Sequence, residues 1–403
     1  MATAKDIKKV TGTAHKEDPK PKATPTPQVK AKAVPKAKQE VKKAVPKPPF
    51  KVVTISLERI IIEPIIAVAR DFTASKSAMP ILTHILLNAG KDCTIVATDL
   101  DRSWTANLKY KGERVNRCIP VEILWQEIKA LHSDIKEVRL TFSERAVKVN
   151  GRCEIYTLSA EEFPVIKEVT GTKVEIPDLR AGLKKVIPAS STDTDARYSL
   201  STVLIDLPNG KLVATDGHRL HCTSIKKEST KKLLIPRESA VLAAKHATGD
   251  AITIGKDKGI SFNTSTPIAG GVAVGVMTTV LVDADYPDYD KVIPKNNTNK
   301  VVFSGSELLK VLEGALPVGE RIKMTINGKI EIHSQNPDLA IYKWHIPCEY
   351  KGKQFEIVFN AKYLVDAIRA FTTKEKDKVT LEIDTPLSPS LINGSAVVMP
   401  MRA

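Results

Sequence analysis

The sequence has little of several things. It holds five cysteines in 403 residues: Cys93, Cys118, Cys153, Cys222 and Cys348. The count is odd, none are close together and no CxxC occurs. That excludes a disulfide framework and a zinc knot, and it points to a reducing, cytoplasmic compartment. Aromatic residues are scarce while aliphatic residues are not, so the expected cores are aliphatic. The N-terminus has no apolar segment, and therefore no secretory signal is expected. The least polar stretch is SFNTSTPIAGGVAVGVMTTVLV at 261–282, and Gly and Thr interrupt it. A spanning helix needs about 20 apolar residues, so this stretch reads as two buried strands. No nucleophile elbow or comparable catalytic motif occurs. Arginine is missing from the first 50 residues, which argues against an organellar transit peptide.

What is present is unevenly placed. The first 50 residues carry 13 lysines, eight prolines and only four acids, and so hold nine of the net +15 charges. The rest of the chain is nearly balanced, with 48 basic and 42 acidic residues. Such a Lys/Ala/Pro tail cannot pack a core and is expected to be disordered over 1–50. It can bind polyanions through counterion release, or act as a solvated spacer.

From Lys51 the chain repeats itself roughly every 120 residues. A helix-like segment leads each unit, at 56–72, 178–191 and 305–316. Alternating strands follow, then a second helix at 120–131, 236–247 and 360–371, then more strands. Proline opens two of the second helices, Pro120 and Pro236, as a first helical turn allows. The expected division is a tail at 1–50 and repeats at 51–172, 173–297 and 298–403. The fold class is α+β, with units too large to be solenoid elements. Trp104 and Trp125 fall in the first unit and Trp344 in the third, and all three read as core residues.

One tetrapeptide recurs in a telling place. TIVATDLDRSWT begins at Thr94 and KLVATDGHRLHC at Lys211, each reading as a strand running into a polar turn. Asp216 and His218 invite an acid–base reading, and His218 with His221 forms an HxxH. No nucleophile accompanies the pair, and no further ligand stands at metal spacing. The open question is whether Asp216 and His218 do chemistry or line a surface.

Four stretches, taken in order, answer it by resemblance: MPIL (79–82) with ATDL (97–100), VATDGHRL (213–220), YPDYDKVIPKN (286–296) and VVMPMR (397–402). Over about residues 52–403 the chain resembles the bacterial sliding clamp family, the beta subunit of DNA polymerase III. The resemblance implies three repeated clamp domains per chain and a head-to-tail homodimer closing a six-domain ring. Helices would line a hole around duplex DNA. It implies no enzymatic activity, no cofactor and no membrane. The implied partners are duplex DNA, the polymerase III alpha-type subunit, the clamp loader and other proteins with a clamp-binding motif.

Carried over by position, a peptide pocket between the second and third domains would be walled by Leu200, Thr215, Gly217, His218, Arg219, Leu220, Pro287, Lys291 and Val292. The C-terminal residues Val397, Val398, Met399, Pro400, Met401 and Arg402 would complete it. Arg219 and His218 would fix the polar ends of the peptide. The sequence departs from the family pattern at Lys291, often Arg, at His221, usually small, and at Ala403, usually Leu. Candidate DNA contacts are Lys76, Arg180, Lys184, Lys185, Thr194, Arg237, Lys245, Lys310, Lys362 and Arg369. Candidate dimer contacts are Cys153 and Ile155 on a strand, with Leu308, Leu312 and Leu316 on a helix. Two other readings stand beside this one: a nucleoid-like protein acting through its basic tail, and a clamp-like decoy that binds partners without encircling DNA.

Overall fold

The computed structural model describes residues 51–193, 198–227, 229–373 and 377–402. The tail, Thr194 and Ala403 lie outside them. The described residues form one compact unit. Among them six α-helices occur: α1 (Arg59–Arg70), α2 (Val121–Lys129), α3 (Leu179–Val186), α4 (Arg237–His246), α5 (Gly305–Ala315) and α6 (Ala361–Phe371). They pack in pairs, α1 on α2, α3 on α4 and α5 on α6.

Local sequence explains the helix ends. The Ser304 hydroxyl accepts from the Glu307 amide at 3.2 Å and caps α5. The Asn360 side chain accepts from the Lys362 amide at 2.9 Å and caps α6. Each bond satisfies a donor that the first helical turn leaves open. Pro120 and Pro236 stand one position earlier than expected, as cap residues with extended backbone rather than inside the first turn. Apolar spacing sets the buried faces: Leu308, Val311, Leu312 and Ala315 of α5, and Leu364, Val365 and Ile368 of α6.

Four antiparallel sheets carry these helices among the described residues. Four strands from Val53–Glu58 to Cys153–Tyr156 make the first, and four from Arg321–Ile326 to Phe355–Asn360 make the last. The two larger sheets cross the expected repeat boundaries. Gly271–Val280 pairs with Arg102–Leu108, joining strands of the first two repeats into nine. Arg219–Ser224 pairs with Ala396–Val398, joining strands of the second and third into eight. The first two repeats share one continuous apolar core. The third has its own, with a small cluster around Leu220, Tyr289 and Val397 beside it.

Some expectations change. The stretch at 261–282 is a long hairpin, Gly259–Ile268 with Gly271–Val280, but only one face is buried. Phe262, Ala273 and Met277 point inward while Val272, Val274 and Val280 are exposed. Period-two alternation, masked here by valines on the exposed face, is what the sequence reading missed. Trp104 is core and donates to Thr264 Oγ1 at 3.0 Å. Trp125 is only half-buried, beneath Arg70 and Lys129. Trp344 is 60% exposed on a strand at a sheet edge. No described helix is long and apolar enough to cross a membrane.

Candidate functional site

The VATD turn is built twice with the same bonds. In the second repeat the Thr215 hydroxyl donates to the Arg219 carbonyl (2.6 Å) and accepts from the Gly217 amide (3.1 Å). One Asp216 oxygen accepts from the His218 and Arg219 amides, and the other from Arg219 Nε at 2.9 Å. In the first repeat Thr98 and Asp99 make the equivalent bonds to Arg102 and Leu100. Leu100 and Gly217 even share a left-handed backbone, with φ of 82° and 89°. Asp216 is therefore a turn-closing carboxylate. Three of its roughly four lone-pair sites are taken by donors within the turn.

The second copy differs in what its arginine reaches. Arg219 is buried, and its guanidinium also donates to Asp366 of α6 at 2.6 Å. It lies 4.4 Å over the Tyr363 ring. Arg219 is paired with both Asp216 and Asp366, and it fastens the second repeat to the third. The His218 ring is exposed and stacks 6.5 Å from Tyr363. The C-terminal residues are threaded into the same place. The Met399 amide donates to the His218 carbonyl (2.9 Å) and the Met401 amide to the Val358 carbonyl (2.7 Å). Arg321 donates to the Arg402 carbonyl at 3.0 Å.

The proposed wall thus divides into two classes. Thr215, Leu220, Val397 and Val398 are buried and form the floor on which the rest stands. Leu200, Met399 and Pro400 are half-buried, and Gly217, Pro287, Lys291 and Arg402 are exposed. Val292 and Met401 are large apolar side chains left open at 41% and 38%. Lys291 pairs with Asp288 at 2.8 Å, on the surface. Tyr289 anchors the connecting segment by donating to the buried Asp206 carboxylate at 2.9 Å. Sequence reasoning missed Tyr363, Asp366 and Tyr289. Tyr363 and Asp366 stand at i and i+3 on α6, on a face that reads as solvent until the neighbouring repeat covers it.

His221 is not part of the wall. It faces inward, fully buried, with Nδ1 donating to the Lys185 carbonyl (2.7 Å) and its ring edge on Phe371 (5.3 Å). Burial drives its pKa down to about 4. His218 and His221 point to opposite faces, as residues three apart on extended chain must. Burial likewise pushes the Cys93 and Cys118 thiols up to about 12, which leaves them inert. The larger open clefts lie elsewhere. One of about 730 Å³ sits between the start of α1 and Ser133–Glu137, and one of about 770 Å³ beside Tyr350–Gly352.

The remaining candidates are scattered. Arg180 closes the end of α4, donating to the Ala244 and Lys245 carbonyls at 2.8 and 2.9 Å. Lys245 and His246 both reach Asp71 at the end of α1, at 2.7 and 2.6 Å. Burial alone would raise the Asp71 pKa, but bonds from His246 and Lys245 hold it below the usual carboxylate range. Arg237 pairs with Glu238 and Arg369 with Glu313. Lys76, Lys184, Lys310 and Lys362 are exposed, and Lys185 is half-buried. Ile155, Leu308 and Leu312 are buried in the chain's own cores, because their strand and helix turn these side chains inward; they are not available to a second chain. Cys153 and Leu316 are half-buried.

Comparison with known proteins decides the family. The model of the DNA polymerase III beta subunit N-terminal domain matches residues 53–167, and that of its C-terminal domain matches residues 290–402. This chain belongs to the DNA polymerase III beta subunit family. The beta sliding clamp of Pseudomonas aeruginosa is 26% identical over 353 residues, spanning 81% of this chain and 94% of that one. That of Escherichia coli K12 is 27% identical over 353 residues, spanning 81% and 93%. The crystal structure of the Pseudomonas aeruginosa DNA polymerase III subunit beta superposes with a TM-score of 0.73 at 25% identity, covering 87% of this chain and all of that one. A Bartonella birtlesii sliding clamp shares the fold at TM-score 0.76 and 22% identity, over 88% of this chain and all of that one. The beta-clamp membership makes the chain a non-catalytic processivity factor. It also accounts for a VATD turn that carries no chemistry.

Proposed function

We propose that two copies of this chain close head to tail around duplex DNA and tether a replicative polymerase through a peptide pocket between the second and third repeats. The observations that support the pocket are the exposed apolar side chains of Val292 and Met401, the His218–Tyr363 stack, and the buried Leu220 and Val397. Open valine, adaptable methionine and a flat aromatic pair suit a short peptide with apolar or aromatic anchors. Polymerase alpha-type subunits, the loader and other proteins with such a motif are the proposed ligands, in the cytoplasm.

Ring closure needs two unpaired edges. Among the described residues Cys153–Tyr156 pairs on one side only, and so does Ala340–Pro347. Tyr156 on the first edge is 81% exposed, and the second carries exposed Ile341 and Trp344. Exposed apolar edges of this kind invite pairing, and a second copy satisfies both. The repeats at 51–172, 173–297 and 298–403 serve as the proposed domains.

The test is sedimentation of the purified chain at micromolar concentration, with and without a fluorescent peptide bearing two apolar anchors. A dimer that binds the peptide, and binds at least tenfold more weakly after Met401→Ala with Tyr363→Ala, supports the reading. A monomer that ignores the peptide overturns it.

A further inference from the structure

The six helices do not share charge evenly. α1 and α2 carry three cations and three carboxylates. Arg59 pairs with Glu63 at 3.0 Å and Arg70 with Glu122 at 2.7 Å, leaving Glu127 to balance Lys129. Two exposed isoleucines, Ile60 and Ile123, fill out that surface, and neither can bond a phosphate. α5 and α6 also carry three of each sign. Arg369 is paired with Glu313, and Glu307 stands one turn from Lys310.

The pair α3 and α4 is different. It carries five cations, Arg180, Lys184, Lys185, Arg237 and Lys245, against one carboxylate, Glu238. Glu238 is taken by Arg237 at 3.1 Å and Asp71 is shared by Lys245 and His246. Arg180 spends hydrogen bonds on backbone carbonyls and keeps its charge. Lys184 and Lys185 have no carboxylate partner among the described residues; neither do Lys310 and Lys362, but those two stand on a helix pair with as many carboxylates as cations.

We propose that the duplex is held chiefly at α3 and α4 of each chain, with Lys184 and Lys185 as the main phosphate contacts. The other two helix pairs let it pass without holding it. This deepens the sliding-clamp reading and rests on it. The physical ground is counterion release. A helix pair whose cations are balanced by carboxylates presents no net positive charge with which to release counterions, whereas a pair with five cations and one carboxylate does. Screening keeps the effect local, because exposed charges act over only about 8 Å at physiological salt. A ring of two copies then grips at two patches rather than six. Few interchangeable contacts favour sliding, since phosphate contacts carry no sequence information.

The experiment is fluorescence anisotropy of a labelled duplex with the full chain, between 50 and 200 mM salt. The variants are Lys184→Gln with Lys185→Gln, and, as a matched pair, Lys310→Gln with Lys362→Gln. The tail lysines are common to all variants, so differences belong to the helices. The first pair is expected to lower the slope of log affinity against log salt by about 3.6, at about 0.9 for each of the four lysines in a ring of two copies, and the second to lower it by much less. Equal effects, or none from the first pair, overturn the proposal. Lys184→Arg with Lys185→Arg keeps both charges and is expected to restore the slope. An unchanged unfolding midpoint shows that the variants fold. Failure of the clamp reading shows separately, as a monomer on sedimentation or as no retention on circular over linear DNA.

Discussion

At the scale of single residues, the VATD turn makes the sharpest demands. Gly217 adopts φ of 89° with open space around its Cα, so Gly217→Ala meets no clash and pays only backbone strain. The expected loss is about 1 kcal/mol in urea unfolding. Leu100 holds the same conformation in the first repeat. Leu100→Gly relieves about 1–2 kcal/mol of strain and adds about 0.5–1 kcal/mol of chain entropy, so a small net gain is expected. Arg219→Ala strands two carboxylates that it now pairs, and a loss of about 3 kcal/mol is expected, larger than for Asp366→Asn. His221 links structure to pH. Its folded pKa, about 4, lies below the unfolded value near 6.5, so the unfolded chain binds the proton first. Stability is full above pH 6.5, falls as pH drops toward 4 and then levels off. His221→Leu is expected to flatten that part of the profile, read as the unfolding midpoint against pH.

At the scale of elements, the helices and strands were largely legible in the sequence because their periodicities differ. The α5 and α6 stripes and their Ser304 and Asn360 caps are local features, and local pattern finds them. Whether an exposed position stays exposed is not local. Trp344 reads as core in sequence because tryptophan usually is, yet it sits on an unpaired edge. Trp344→Lys is expected to weaken self-association by tenfold or more while leaving the monomer's unfolding midpoint within about a degree. An unchanged dimer constant would place the interface elsewhere. Leu308 and Leu312 mislead in the opposite sense: an apolar helix stripe looks alike whether it meets its own sheet or a partner.

At the scale of the whole molecule, the repeats are joined by sheets rather than by linkers. Strands Arg102–Leu108 and Gly271–Val280, 169 positions apart at their first residues, lie side by side. The first two repeats share one core, so they are expected to unfold as one cooperative step. The third, with its own core, is the unit that can separate, and Arg219→Ala is expected to expose it. Hydrogen exchange in that variant should rise at Ala396–Val398 before it rises at Arg102–Leu108. Simultaneous exchange at both would mean that the two junctions are equally strong.

The sequence by itself determined the three-fold repetition, the positions of six helices, the basic tail and the family resemblance. Each of these depends on composition, period or an ordered string of motifs. Tertiary structure alone decided what the repeated turn is for, since Asp216 and Arg219 acquire meaning only when Asp366 and Tyr363 arrive from 147 and 144 positions away. It also decided which lysines are unpaired, because ion pairing depends on which carboxylate the fold brings within about 4 Å, and residue spacing along the chain does not encode that distance.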